Sequence, residues 1–161
     1  MKERLQNMNV TNKRVILRCD LNVPMKDGKI LDDNKILESL ETITYLLDHN
    51  ASVIILSHLG KVKTEKDKLT HSLEPVAKRL KELLNTKVIF SKQTRSVGLD
   101  EMVRKLMPKD ILVLENTRFE DLNNESESKN NPELAKYWAS LGEIYINDAF
   151  GTAHRSHASN V

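Results

Sequence analysis

A single cysteine, Cys19, excludes any intramolecular disulfide. Its place in the apolar run RVILRC suits a buried thiol in a reducing compartment. No apolar stretch approaches the roughly 20 residues of a membrane span, and the N-terminal MKERLQNMNV holds no signal-peptide core, so a cytoplasmic location is expected. Charge of one sign is also scarce. The 25 Lys and Arg against 23 Asp and Glu leave +2, which gives no global field for holding nucleic acid or an acidic membrane. The five glycines, at 28, 60, 98, 142 and 151, compose neither G-x-G-x-x-G nor G-x-x-x-x-G-K. The standard dinucleotide and phosphate-loop fingerprints are therefore missing. A G-x-S-x-G elbow and a Cys-x-x-Cys pair are missing too, which removes acyl-transfer and dithiol chemistry.

What is present is ordinary globular composition, 39% apolar and 30% charged over 161 residues, enough for one domain with a real core. Short apolar runs too brief for helices alternate with helical periodicities. Arg14–Cys19, Ser52–Leu56, Lys87–Phe90, Ile111–Leu114 and Ile144–Ile146 read as strands, and the continuous runs Ser52–Leu56 and Ile111–Leu114 read as buried on both faces. Between them, Ile36, Leu40, Ile43 and Leu47 mark a first helix behind the caps Asp32, Asp33 and Asn34. Ser72 and Pro75 open a second helix. Leu99, Met102, Val103 and Leu106 form a third stripe that stops at Pro108, and Asn131-Pro132 opens a fourth helix closed by Gly142. In that last helix Tyr137 and Trp138 read as core rather than as a stacking platform. The charged VKTEKDK segment reads as a mobile solvated loop. The pattern predicts an α/β domain: a Rossmann-like open, mainly parallel sheet with helices on both faces.

In such a sheet the carboxyl ends of the strands open on one edge, where residues distant in sequence meet. The first strand end offers Arg18, Asp20, Leu21 and Asn22. The second offers His58, Leu59, Gly60 and Lys61, and the fourth Asn116 and Arg118. The last leads into NDAFGTAHRSH, residues 147–157, with Asp148, Gly151, Thr152, His154 and Arg155. Lys35, opening the first helix, can face the same crevice. Arg18, Lys35, Lys61, Arg118 and Arg155 would then put five cations together in a chain whose whole excess is two. Such a cluster requires an anion, and a small substrate bearing both phosphate and carboxylate suits it. Taken singly, each residue has a structural alternative: pairing with a structural carboxylate for Arg18, turn formation for Asp20 and Asp148, a loop hydrogen bond for His154. His154 and His157 lack a third ligand at close spacing, so no metal site is expected.

These residues resemble the N-terminal lobe of phosphoglycerate kinases. The matching blocks are RCDLNVP at 18–24, DGKILDDNKI at 27–36, SHLGK at 57–61, LENTRFED at 114–121 and the whole stretch 127–161. The resemblance implies a glycolytic phosphotransferase that moves the acyl phosphate of 1,3-bisphosphoglycerate to MgADP. Residues 1–161 would be its 3-phosphoglycerate-binding lobe, and Mg-ADP/ATP would be bound by a second lobe that this chain lacks. It further implies that Asp20 and Asn22 hold the glycerate end, that His58 to Lys61 form a second wall, and that Arg18, Arg118 and Arg155 surround the phosphate and carboxylate. Lys35 would be the catalytic cation on the migrating phosphoryl group. Lys35 and Lys61 stand where the family pattern has arginine, which keeps the charge and loses the bidentate fork. The expected partner is the small-molecule substrate, with no nucleic acid or membrane and a monomeric full-length state. Without the second lobe the chain is expected to be inactive. The alternative of another class is a free-standing, non-catalytic module that binds phosphorylated metabolites. A dehydrogenase domain on the same architecture is disfavoured by the missing glycine fingerprint.

Overall fold

The computed structural model describes residues 8–60, 62–122, 127, 129 and 131–148, with Asp148 described by its backbone only. Among them five strands form one fully parallel sheet. These are β1 (Arg14–Cys19), β4 (Ser52–Leu56), β5 (Val88–Ser91), β6 (Ile111–Leu114) and β7 (Ile144–Asp148), in the order β5-β6-β4-β1-β7. The two remaining strands, β2 (Met25–Lys26) and β3 (Lys29–Ile30), make a separate hairpin. Its two-residue turn, Asp27-Gly28, has φ of 52° and 75°, the left-handed pair that such a tight antiparallel turn needs.

Strand alternation assigns the two faces. Val15, Leu17, Val53, Ile55, Ile111 and Val113 pack with the buried residues of α1 (Asn34–Asp48) and α2 (Glu74–Leu84). Ile16, Ile54, Leu56, Leu112 and Leu114 pack with α3 (Val97–Arg104) and α4 (Pro132–Ser140) on the opposite face. This period of two, with β4 and β6 buried along their whole length, is what continuous β-branched runs encode when helices cover both sides. Trp138 is fully buried, and its indole N–H donates to the Thr94 carbonyl at 2.8 Å. Burying a side chain of that size contributes on the order of 4 kcal/mol. Tyr137 donates its hydroxyl to Asp100 at 2.7 Å, so both aromatics serve the core as expected.

Three details differ from the sequence reading. The buried line of α1 is Ile36, Ser39, Ile43 and Leu46, with Leu40 and Leu47 at its flank. Hydropathy overlooks Ser39, whose hydroxyl is satisfied inside the helix by the Ile36 carbonyl at 2.7 Å. The segment expected to be loop holds regular structure. A 3-10 turn, Glu65–Leu69, is closed by a Thr64/Asp67 capping box, and the backbone N–H groups of Lys63 and Thr64 hold the Asp67 carboxyl below its ordinary range. At α2 the cap position is Leu73, and Ser72 acts one residue earlier, accepting from the Glu74 N–H at 3.1 Å.

Candidate functional site

Sheet order puts a topological switch at β1, because the chain leaves β1 toward β4 on one side and returns with β7 on the other. Ligands of open parallel sheets sit outside the carboxyl ends at such a point. The register pairs Cys19 with Asp148, so the end of β7 lies beside Asp20. Asp20 turns the chain away from the sheet: its Oδ1 accepts from the Asn22 N–H at 3.0 Å, and its Oδ2 meets Lys35 Nζ at 3.0 Å. The lysine side chain remains 44% exposed. An ion pair this open is worth under about 1 kcal/mol, and it leaves two ammonium protons for another anion. Asp20 and Lys35 line a cleft of about 430 Å³ that continues along α1 past Glu38, Ser39 and Glu41.

Side chains stitch the loops of three strand ends together. Ser57 Oγ accepts from the Leu21 N–H at 3.0 Å, and Asn22 Oδ1 accepts from the Gly60 N–H at 2.9 Å. From the β6 end, the fully buried Asn116 uses its whole amide. Oδ1 accepts from the N–H groups of Leu59 at 3.1 Å and Arg118 at 3.0 Å, and Nδ2 donates to the carbonyls of Leu59 at 2.8 Å and His71 at 2.9 Å. Beneath it Glu115, also buried, accepts from Ser72 Oγ at 2.6 Å and from the N–H groups of Leu73 and Asn116, both at 2.8 Å. Gly60 has φ of +59°, and a Cβ there would come within 2.5 Å of the His71 ring. Any larger residue there is strained by the left-handed backbone and must displace the histidine ring.

The expected arginines lie beneath the surface. Arg18 shares the α3/α4 face of β1 with Ile16, and it is 1% exposed. Its Nη1 donates to the Cys19 carbonyl at 3.3 Å, and its Nη2 lies 3.2 Å from His58 Nδ1. The Arg18 charge also acts on partly buried Tyr145, together with buried Glu127. Burial raises the Tyr145 phenol well above its ordinary range, Arg18 opposes that shift and Glu127 reinforces it. Arg118 is 7% exposed, with Nε 3.8 Å from Asp121.

Asp20, Leu21, Asn22, Lys35, His58, Leu59 and Gly60 are thus brought to one edge, with Arg18 and Arg118 behind it. Lys61, Gly151, Thr152, His154, Arg155 and the Asp148 side chain lie outside the described residues. Sequence reasoning passed over Ser57, Glu115 and His71. Glu115 carried one usable signal, a carboxylate directly after a four-residue apolar strand, where burial demands several donors. His71 stands in no strand end, and only the fold brings it over Gly60.

A model of the phosphoglycerate kinase family matches residues 5–161. The chain belongs to that family. The phosphoglycerate kinase of Fusobacterium nucleatum is 55% identical over 161 residues, covering 100% of this chain and 40% of that protein. That of Macrococcus caseolyticus is 54% identical, covering 100% and 41%. Among solved structures, the phosphoglycerate kinase from Pyrococcus horikoshii OT3 superposes with a TM-score of 0.84 at 37% identity, over 97% of this chain and 38% of that one. The one from Coxiella burnetii gives 0.80 at 41% identity, over 96% and 37%. The chain therefore spans about 40% of the length of the curated phosphoglycerate kinases it matches.

Proposed function

We propose that residues 1–161 are the 3-phosphoglycerate-binding lobe of a cytoplasmic phosphoglycerate kinase. The whole protein, a monomer, would transfer the acyl phosphate of 1,3-bisphosphoglycerate to ADP, giving 3-phosphoglycerate and ATP in glycolysis. The observation that supports this most is the family match across residues 5–161, joined to the convergence of its polar motif residues on one sheet edge. Magnesium nucleotide falls to the part of the relatives' length that this chain does not match.

Within the crevice Asp20 and Asn22 form the turn that receives the glycerate end. Asp20 also fixes Lys35, whose remaining ammonium protons face an anion. Lys35 is the catalytic residue of this reading: a fixed positive charge beside the migrating phosphoryl group stabilises the charge spread over its oxygens. Phosphoryl transfer needs both substrates held in line, so this chain alone binds without turning over.

Calorimetric titration of the chain with 3-phosphoglycerate tests the reading. Saturable binding is expected, weakened about tenfold or more by Lys35→Ala, the loss of one charge-assisted contact. Lys35→Arg, which restores the fork, is expected to tighten it. Absence of saturable binding contradicts the assignment, and ATP formation by the chain alone contradicts its inactivity.

A further inference from the structure

The carboxyl edge of the sheet holds another cleft, of about 360 Å³, at its β5 end. Three segments wall it: the 3-10 turn Glu65–Leu69, the residues Lys92 to Arg95 that follow β5, and the 3-10 turn Thr117–Leu122 that follows β6. None of its lining residues belongs to the proposed substrate crevice. We propose that this cleft is a separate binding site for a small phosphate-type dianion, held by Lys92, Arg95 and Lys68.

Each of the three cations has charge to offer. Lys92 is exposed and makes no ion pair among the described residues. Arg95 spends Nη2 on Glu120 Oε1 at 3.2 Å, and a guanidinium has five N–H donors, so others remain for a ligand. Lys68 Nζ lies 5.6 Å from the centroid of the Phe119 ring and 3.2 Å from Glu65 Oε2. The Glu65 side chain is 78% exposed, and so open a pair yields readily to a multivalent anion. The other carboxylate of the cleft, Glu120, is buried and already committed. Its Oε1 takes Arg95, and its Oε2 accepts from Thr94 Oγ1 at 2.5 Å. Glu120 therefore works as the bracket that holds Arg95. Three cations against two carboxylates leave the cleft net positive.

The wall that carries Lys92 and Arg95 is fixed before any ligand arrives. Ser91 Oγ donates to the Gln93 carbonyl at 2.9 Å and accepts from the Gln93 N–H at 3.1 Å. The buried Trp138 donates its indole N–H to the Thr94 carbonyl at 2.8 Å, and Tyr137 Oη accepts from the Ser96 N–H at 3.4 Å. Both aromatics of α4 thus grip the segment that presents the cations. Cations on a held backbone lose less freedom on binding, and an arginine fork matches a phosphate group. Lys68 stands on a different wall from Lys92 and Arg95, so a ligand with two anionic groups can engage both.

The test follows backbone amide shifts of the isotope-labelled chain at low salt while pyrophosphate is added. Saturable changes are expected at Lys68, Lys92 to Arg95 and Phe119. Lys92→Ala removes an exposed side chain on which no ion pair depends, and it is expected to weaken that set about fivefold or more. Lys105→Ala, at the exposed end of α3 and outside the cleft, is expected to leave the set unchanged. So is Lys35→Ala, which alters the substrate crevice alone. No saturable change at Lys92 to Arg95 overturns the proposal, whether or not the substrate crevice binds. Equal weakening by Lys92→Ala and Lys105→Ala overturns it too, since that is attraction by overall charge. Saturation here with none at Asp20 and Lys35 upholds this site and counts against the proposed substrate crevice.

Discussion

Asn116 is the residue whose removal should do most to the candidate site while touching no ligand. Its amide makes four hydrogen bonds at full burial, to Leu59 twice, to Arg118 and to the His71 carbonyl, all between 2.8 and 3.1 Å. Truncation to alanine strands two N–H groups and two carbonyls. At about 1 kcal/mol net for each bond, with some relief from water entering the space, Asn116→Ala should cost about 3–4 kcal/mol. For a domain of this length that lowers the melting temperature by about 6–16 °C. The more revealing variant is Asn116→Asp, which keeps the shape and both acceptor contacts. It places an oxygen where Nδ2 now stands, 2.8 Å from one carbonyl and 2.9 Å from the other. The isostere should therefore cost at least as much as alanine. Urea unfolding followed by fluorescence of the single, buried Trp138 reports the transition. An Asn116→Asp protein within about 0.5 kcal/mol of wild type would refute the network reasoning.

Two further predictions concern the turn beside it. Gly60→Ala should destabilise by about 1–3 kcal/mol, from the left-handed backbone and from a Cβ 2.5 Å from the His71 ring. Adding His71→Ala should remove the clash share alone, so simple additivity in the double-mutant cycle would contradict the contact. Asp67 has a carboxyl held below its ordinary value of 3.8, chiefly by the Lys63 N–H and then the Thr64 N–H. A depressed carboxylate stabilises above its unfolded pKa, and that stability is lost as pH falls through the folded one. Amide exchange at Lys63 and Thr64, corrected for intrinsic rates, should therefore quicken as pH drops below 3.8; a flat profile would contradict the capping box.

The sheet was legible because burial on both faces leaves so clear a mark. Runs such as SVIIL and ILVL, too short for helices and without polar interruption, located β4 and β6 to the residue. Strand order was not legible, since nothing local tells β5 to pair outside β6. Ser39 was hidden by a hydrogen bond internal to its own helix, and the 63–70 turn by a capping box within a charged run. At the site, motif residues at strand ends were readable because parallel topology sends every such end to one edge. What could not be read was depth. Strand alternation sets Arg18 behind the surface, and a turn packs Arg118 beside Asp121. Burial of a charge depends on which partners the fold delivers, here His58 for Arg18, and they are 40 residues apart.

The proposed substrate site is an anion-binding crevice at the carboxyl ends of β1, β4 and β6. Titrating 3-phosphoglycerate into the isotope-labelled chain while following backbone amide shifts tests it most directly. Saturable changes are expected, concentrated at Asp20, Asn22, Lys35 and His58 to Gly60 and reversed by excess inorganic phosphate. Shifts that do not saturate, or that gather on the opposite edge of the sheet, would contradict it.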